Sequence, residues 1–383
     1  MSGPVAIVGA GPTGLAVAAV LKQLGIESVL FERSETIGDS WRRRYARLHL
    51  HTVRWLSGLP GLPVSRSAGK WVAKDDYADY LGEYARHHGL EPRLGVAVER
   101  ISRGAGGWRL ETSSGVVEAP FVVVASGYSA QPRRPAWPGV ETLGDRLVHS
   151  SDYVEPSPYA GLDVLVVGSG NSGAEIATDV AGAGAARVRL SVRTPPIVVR
   201  RDTLGVPSQL VGIAVGKLPL RAVVPISMAL RKISIPDLEP FGLPAPPDGI
   251  AQFGRTGTVP ILDVGFVDAV RTRRIEIVAA VERVEDGVVV LVDGSRVAAD
   301  AVIAATGFRP GLEPLVGHLR VLDELGRPLV HGGETHPDAP GLWFAALQPS
   351  LGGLLREAAK DAKRVAAAIA AARAASPAAP SGG

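Results

Sequence analysis

Val5-Ala6-Ile7-Val8-Gly9-Ala10-Gly11-Pro12-Thr13-Gly14 is the stretch that decides the fold. A short apolar run of strand length leads straight into a glycine loop of the form G-x-G-x-x-G. Residues 15–24 then read as an alanine-rich helix closed by Gly25, and residues 29–31 as a second apolar strand ending at Glu32. Strand, loop, helix and strand make one βαβ unit. In such a unit the first glycine permits a tight turn, the second lets backbone approach a pyrophosphate, and the third lets helix and strand pack closely. Free N–H groups and the positive dipole end at the helix start attract the phosphates.

The unit recurs in the middle of the chain as Asp163-Val164-Leu165-Val166-Val167-Gly168-Ser169-Gly170-Asn171-Ser172-Gly173. A helix is expected over residues 174–181 and a strand over 187–192, ending at Arg193. One such loop is a weak signal. Two, each set between a strand and a helix, mark a duplicated dinucleotide-binding unit. The residue after the second strand separates them. A carboxylate at Glu32 accepts ribose hydroxyls and repels a 2′-phosphate, whereas a guanidinium at Arg193 suits one. Gly9, Gly11, Pro12, Thr13 and Gly14 are therefore expected to hold FAD, and Gly168, Gly170, Asn171, Ser172 and Gly173 to hold NADPH.

Outward from the loops, residues 75–87 space Tyr77, Tyr80, Leu81 and Tyr84 as a helix face. Short apolar strands are expected at 121–125, ending in Ser126-Gly127, and at 301–305, ending in Thr306-Gly307. Residues 133–139 are proline-rich and read as a connector. A last helix is expected over 357–373, before a small-residue tail at 374–383 expected to be disordered. Residues 195–250 carry many prolines and too little periodicity to assign. The fold class expected is α/β, with two Rossmann-like dinucleotide-binding domains of the three-layer ββα type. The FAD-binding domain is expected to be discontinuous, 1–155 and 276–383, with the NADPH-binding domain, 156–275, inserted in it.

Composition narrows the functions. The 383 residues carry 41 basic and 38 acidic side chains, and this near balance argues against a general nucleic-acid binder. There is no cysteine, which excludes disulfides, cysteine-ligated zinc, iron–sulfur clusters and any dithiol redox step within these residues. The N-terminus runs directly into a strand and shows no signal-peptide pattern. The most membrane-like stretch, residues 205–230, is broken by Lys217, Arg221 and three prolines, so no span is expected. These features point to a cytoplasmic protein with neither nucleic acid nor membrane as partner.

Further segments carry a family resemblance. They are Trp41 after Gly38, Arg47-Leu48-His49-Leu50-His51-Thr52, Ala125-Ser126-Gly127, His149-Ser150-Ser151-Asp152-Tyr153, Val259-Pro260-Ile261-Leu262-Asp263-Val264-Gly265, Ala305-Thr306-Gly307-Phe308-Arg309-Pro310 and Gly352-Gly353-Leu354-Leu355. With the two glycine loops, the chain resembles the flavin-containing monooxygenases, and within them the YUCCA-type members. It departs from the family fingerprint F-x-G-x-x-x-H-x-x-x-Y: with His149 and Tyr153 in place, Leu143 stands for Phe and Asp145 for Gly. The resemblance implies that Arg33, Ser40, Trp41, His51, Thr52, Val98, Ser126, Gly127, Thr306, Gly307, Gly352 and Gly353 also line the cofactors. It implies an enzyme that uses NADPH and O2, forms a peroxyflavin and passes one oxygen atom to a small molecule. Amines, sulfides, ketones and 2-oxo acids all remain open as substrates. His51 is the one candidate for a catalytic side chain, with packing an equal reading, and His149 is expected to be structural. A disulfide reductase of the same architecture is excluded for want of cysteine. A flavin-dependent NADPH oxidase or dehydrogenase that oxygenates nothing organic is not.

Overall fold

The structure, a computed structural model, describes residues 3–203, 205–215, 225, 235–246 and 259–375. The tail expected at 374–383 and the apolar stretch at 205–230 therefore lie largely outside the described residues. The described chain forms two compact units. One comprises 1–43, 52–131 and 309–383, and the other 44–51 and 132–308.

The chain opens with strand β1 (Val5–Val8), helix α1 (Pro12–Gln23) and strand β2 (Ser28–Phe31). Helix α1 starts inside the glycine loop, at Pro12, because proline's fixed φ and missing N–H suit the first helical position. Helix α2 (Lys74–His87) follows and buries Tyr77, Tyr80, Leu81 and Tyr84 on one face. A three-stranded meander, β3 (Val98–Gly104), β4 (Gly107–Thr112) and β5 (Gly115–Ala119), leads into β6 (Val122–Val124), which lies parallel to β1.

The second unit contains β7 (Leu147–His149), β8 (Asp163–Val167), helix α3 (Asn171–Gly182) and β9 (Arg187–Ser191). Next come β10 (Val198–Arg200), β11 (Ile261–Asp263), helix α4 (Phe266–Arg271) and β12 (Glu276–Val278). A second meander, β13 (Val281–Glu285), β14 (Val288–Leu291) and β15 (Arg296–Val297), precedes β16 (Ala301–Ala304), which lies parallel to β8. The chain then returns to the first unit with β17 (Leu342–Phe344) and the long helix α5 (Leu354–Ala375), which packs on α1.

The two main sheets match strand for strand. The first runs β2-β1-β6-β17, and the second contains β9-β8-β16-β7 with β12 added beyond β9. All their pairings are parallel, and their central strands are buried on both faces, which is why they read as unbroken Val and Ile runs. The duplication visible in sequence as βαβ therefore extends through a meander to a third strand. It also explains why the second unit takes in 132–308, where the position of the duplicated loop alone suggests 156–275. Strands β7 and β16 lie on either side of that range yet pair into the second sheet.

Each unit has its own apolar core. In the first, Ala6, Val8, Phe31, Trp108, Val122, Leu342 and Phe344 pack together. In the second, the core holds Val164, Val166, Ile176, Leu190, Phe266 and Ile303, together with Tyr45 from the short excursion at 44–51. Among the described residues no helix is long and apolar enough to cross a membrane, and no cluster of residues has the makings of a metal site.

Candidate functional site

The three glycines of each loop are glycine for different reasons. A Cβ at Gly9 would lie 2.7 Å from the Ala125 carbonyl, and one at Gly168 would collide with the Ala305 carbonyl. Both residues also have positive φ, 100° and 120°, where side chains are strained. A Cβ at Gly14 would strike the Gly9 carbonyl, and one at Gly173 the Gly168 carbonyl. Gly11 and Gly170 differ. Their φ values, −76° and −90°, suit any residue, and nothing lies within 4 Å of an added Cβ. No internal packing requires a glycine at either. What fits is a ligand drawn against the helix N-terminus, which is the place of a pyrophosphate.

In the first unit Glu32 follows β2 directly. One of its oxygens accepts the Ala10 N–H at 2.9 Å and the other the Ser34 N–H at 3.0 Å. Each carboxylate oxygen keeps a further lone pair for a ribose hydroxyl. The Gly9 side of the loop rests on residues 125–126, and the Ser126 hydroxyl there is buried with no partner among the described residues. An orphaned buried hydroxyl beside the loop is a second sign of a missing polar ligand. Gly127 has φ 94° and open space around it. Val98 opens β3, two residues past Val96, whose N–H bonds the Glu32 carbonyl at 2.9 Å. Trp41 lies in the short helix Asp39–Arg42, edge-on to Tyr77 with ring centroids 5.0 Å apart. Arg33 and Ser40 are exposed. Thr52 is buried and its carbonyl accepts the Ser57 hydroxyl at 3.0 Å. Gly352 and Gly353 form the turn into α5, with Gly353 at φ 91° and its carbonyl accepting the Glu357 N–H.

The second unit repeats this frame with other side chains. The Gly9 N–H bonds the Phe31 carbonyl at 2.8 Å, and the Gly168 N–H bonds the Ser191 carbonyl at 3.1 Å. By that register Val192 takes the place of Glu32, and Arg193 the place of Arg33. The carboxylate is therefore gone from the second site, and the guanidinium stands one residue beyond its position. Arg193 is exposed and has no ion pair among the described residues. The Ser169 hydroxyl donates to the Thr194 carbonyl at 3.1 Å and ties the loop to the same strand end. Thr306 and Gly307 lie beside this loop as Ser126 and Gly127 lie beside the first, since the preceding residue, Ala305, abuts Gly168. The Thr306 hydroxyl donates to the Arg133 carbonyl.

Two expected residues are placed differently. The Asn171 amide is committed at both ends: Nδ2 donates to the Pro260 carbonyl at 2.9 Å and Oδ1 accepts the Leu262 N–H at 2.8 Å. Its side chain fastens β11 to the start of α3. His51 belongs to the second unit, where its Nε2 lies 2.9 Å from Oε1 of Glu175. His149 is buried at the end of β7, and its Nδ1 accepts the Ser151 N–H at 3.0 Å. Burial, and then the nearby Arg134 guanidinium, push His149 below the ordinary histidine value, which favours its neutral form.

A polar cluster on α3 was not legible in the sequence. Glu175 and Asp179, one turn apart, are met by residues from the 44–51 excursion and from the segment after β7. Tyr45 donates to Glu175 at 3.0 Å, Arg47 pairs with Asp179 at 3.4 Å, and Tyr153 donates to Asp179 at 2.8 Å. Burial, followed by Glu175, pushes the Tyr45 phenol well above its usual range, so it remains a donor.

Comparison with known proteins agrees with this geometry. The pyridine nucleotide-disulphide oxidoreductase family matches residues 6–206. The indole-3-pyruvate monooxygenase YUCCA1 of Oryza sativa subsp. japonica is 35% identical over 309 residues, 79% of this chain and 76% of its own. A flavin-containing monooxygenase from Stenotrophomonas maltophilia superposes with a TM-score of 0.72 at 25% identity, over 96% of this chain and 98% of its own. A cyclohexanone monooxygenase shares the fold at 18% identity, with a TM-score of 0.72 over 97% of this chain and 88% of its own.

Proposed function

This chain belongs to the pyridine nucleotide-disulphide oxidoreductase family and, within it, to the flavin-containing monooxygenases, and from that membership we propose that it holds FAD on the loop at 9–14 and NADPH on the loop at 168–173 to oxygenate a 2-oxo acid. Flavin-dependent oxygenation with FAD, NADPH and O2 is common ground with its relatives. The two-loop assignment rests on one observation. Gly11 and Gly170 alone among the loop glycines have open space where a side chain would stand.

The bound flavin supplies hydride acceptance and oxygen activation, and the chain supplies position, dryness and charge. On the first loop, Glu32 holds the loop through Ala10 and keeps lone pairs for ribose hydroxyls. On the second, the change from Glu32 to Val192 removes the repulsion a 2′-phosphate would meet. Arg193, exposed at the same strand end, then pairs with that phosphate.

The substrate class is supported by the relatives, which are named for indole-3-pyruvate, a 2-oxo acid. Oxygenation of such an acid consumes O2, NADPH and a proton. It releases CO2, water and NADP+, and leaves a carboxylic acid one carbon shorter. The test is product analysis by mass spectrometry under 18O2 with NADPH, across 2-oxo acids, amines, sulfides and ketones. The expected result is the shortened acid carrying one 18O atom. Product from another class alone would overturn the substrate assignment. Peroxide in full yield with every compound would make the protein an NADPH oxidase.

A further inference from the structure

Helix α3 begins at the second glycine loop, and two residues beyond Gly173 it carries Glu175, which is only 4% exposed. The helix starts at Asn171, so this buried carboxylate stands just beyond the first turn, near the end that carries the glycine loop. Its charge has the same sign as that of a pyrophosphate at the nearby helix end, so the two repel unless the carboxylate is held by donors. An unpaired carboxylate in that position is also costly to bury.

The structure surrounds Glu175 with donors. His51 Nε2 lies 2.9 Å from Oε1, and the Tyr45 hydroxyl donates to Oε2 at 3.0 Å with the Ser172 hydroxyl beside it. The Arg201 guanidinium also stands within its field. The two direct partners come from residues 44–51, eight residues that pack with this unit while the chain before and after them packs with the other. The excursion is well anchored: Ala46 N–H bonds the Val154 carbonyl at 2.8 Å, and Tyr45 lies in the unit's core. His51 Nδ1 is buried without a partner among the described residues, so Glu175 is the polar group that fixes this imidazole.

We infer that His51 and Tyr45 are positioning residues for the nicotinamide nucleotide, which hold and orient Glu175 by hydrogen bonds so that the loop at 168–173 accepts a pyrophosphate. The inference rests on the reading that this loop holds NADPH. Without His51 the carboxylate keeps one direct donor, the Tyr45 hydroxyl, and is less firmly held near the phosphate-binding helix end. Replacing that carboxylate by an amide removes the charge, and with it the need for His51.

The experiment is calorimetric titration of the FAD-loaded protein with NADP+. His51→Ala is expected to weaken NADP+ binding about tenfold or more. Glu175→Gln alone is expected to bind at least as well as the wild type. The double variant His51→Ala with Glu175→Gln is expected to return to within about threefold of it. Tyr45→Phe, alone and combined with Glu175→Gln, follows the same pattern and serves if His51→Ala does not purify with flavin. A histidine that acts by touching any other group is not rescued by the amide. Wild-type affinity in His51→Ala, or a double variant as weak as the single, would overturn the inference. Gly170→Val, whose Cβ meets no atom within 4 Å among the described residues, separates the underlying reading. If it binds NADP+ as the wild type does, the loop is not the nicotinamide site and the inference falls with it.

Discussion

A methyl group added at Gly14 would run into the Gly9 carbonyl, and one added at Gly173 into the Gly168 carbonyl, with backbone on both sides and little freedom to move. Gly14→Ala and Gly173→Ala are accordingly expected to lose about 1–3 kcal/mol of stability. Thermal unfolding checks this, and an unchanged midpoint would contradict the close approach. Arg193 gives the second prediction at this scale. Losing a charge-assisted phosphate pair costs on the order of 1.5–3 kcal/mol, roughly ten- to hundredfold in affinity. Arg193→Ala should therefore weaken NADPH and leave NADH nearly unchanged in anaerobic flavin reduction. Equal loss for both nucleotides would remove Arg193 from 2′-phosphate recognition. The loop glycines, Glu32 and Arg193 could be singled out in the sequence because each stands at a short offset from an apolar run. Glu175 was not. A glutamate in a helix usually faces water, and only the return of residues 44–51 to α3 buries it.

At the scale of elements, the short parallel strands and the helices were readable from their apolar runs and spacing. The helix starts were misplaced by a few residues because the glycine loops already turn helically at Pro12 and Asn171. Asn171 looked like a nucleotide ligand from its place in the loop. Its amide is taken by β11, a strand some ninety residues away that no local pattern announces. Helix α5 illustrates a second long-range tie. Its Asp361 accepts the N–H of Ala346, a residue held at φ 52° just after β17. Nearby, both ring nitrogens of His331 are buried with no partner among the described residues. Burial pushes its pKa below the ordinary value, against the opposing pull of Asp361, Asp323 and Glu334. The folded state thus resists a proton that the unfolded chain takes up near pH 6.5. The stability this contributes is present above about pH 6.5 and is lost as the pH falls through the lowered folded value. Melting temperature should drop from pH 7.5 to 5.5, and His331→Gln should flatten that slope. An identical slope in the variant would place the titration elsewhere.

Across the whole molecule, the duplication is larger than its sequence trace. Two glycine loops with matching flanks survive as a pattern, because phosphate chemistry permits few alternatives at those positions. The meanders and third strands do not, because alternating half-buried residues can be exchanged freely while the sheet persists. The unit boundaries at 131/132 and 308/309 follow from strand pairing, which a linear reading of composition does not register. The absence of cysteine, by contrast, was fully legible and excludes a dithiol redox step within these residues. The central claim is one nucleotide per loop, FAD on the first and NADPH on the second. Flavin content and NADP+ affinity, measured side by side in Gly11→Val and Gly170→Val, test it most directly, since neither change meets any protein atom within 4 Å of its Cβ. The account predicts that Gly11→Val purifies without flavin, while Gly170→Val remains fully yellow and loses at least about tenfold in NADP+ affinity. A fully yellow Gly11→Val, or a Gly170→Val that binds NADP+ like the wild type, would contradict it.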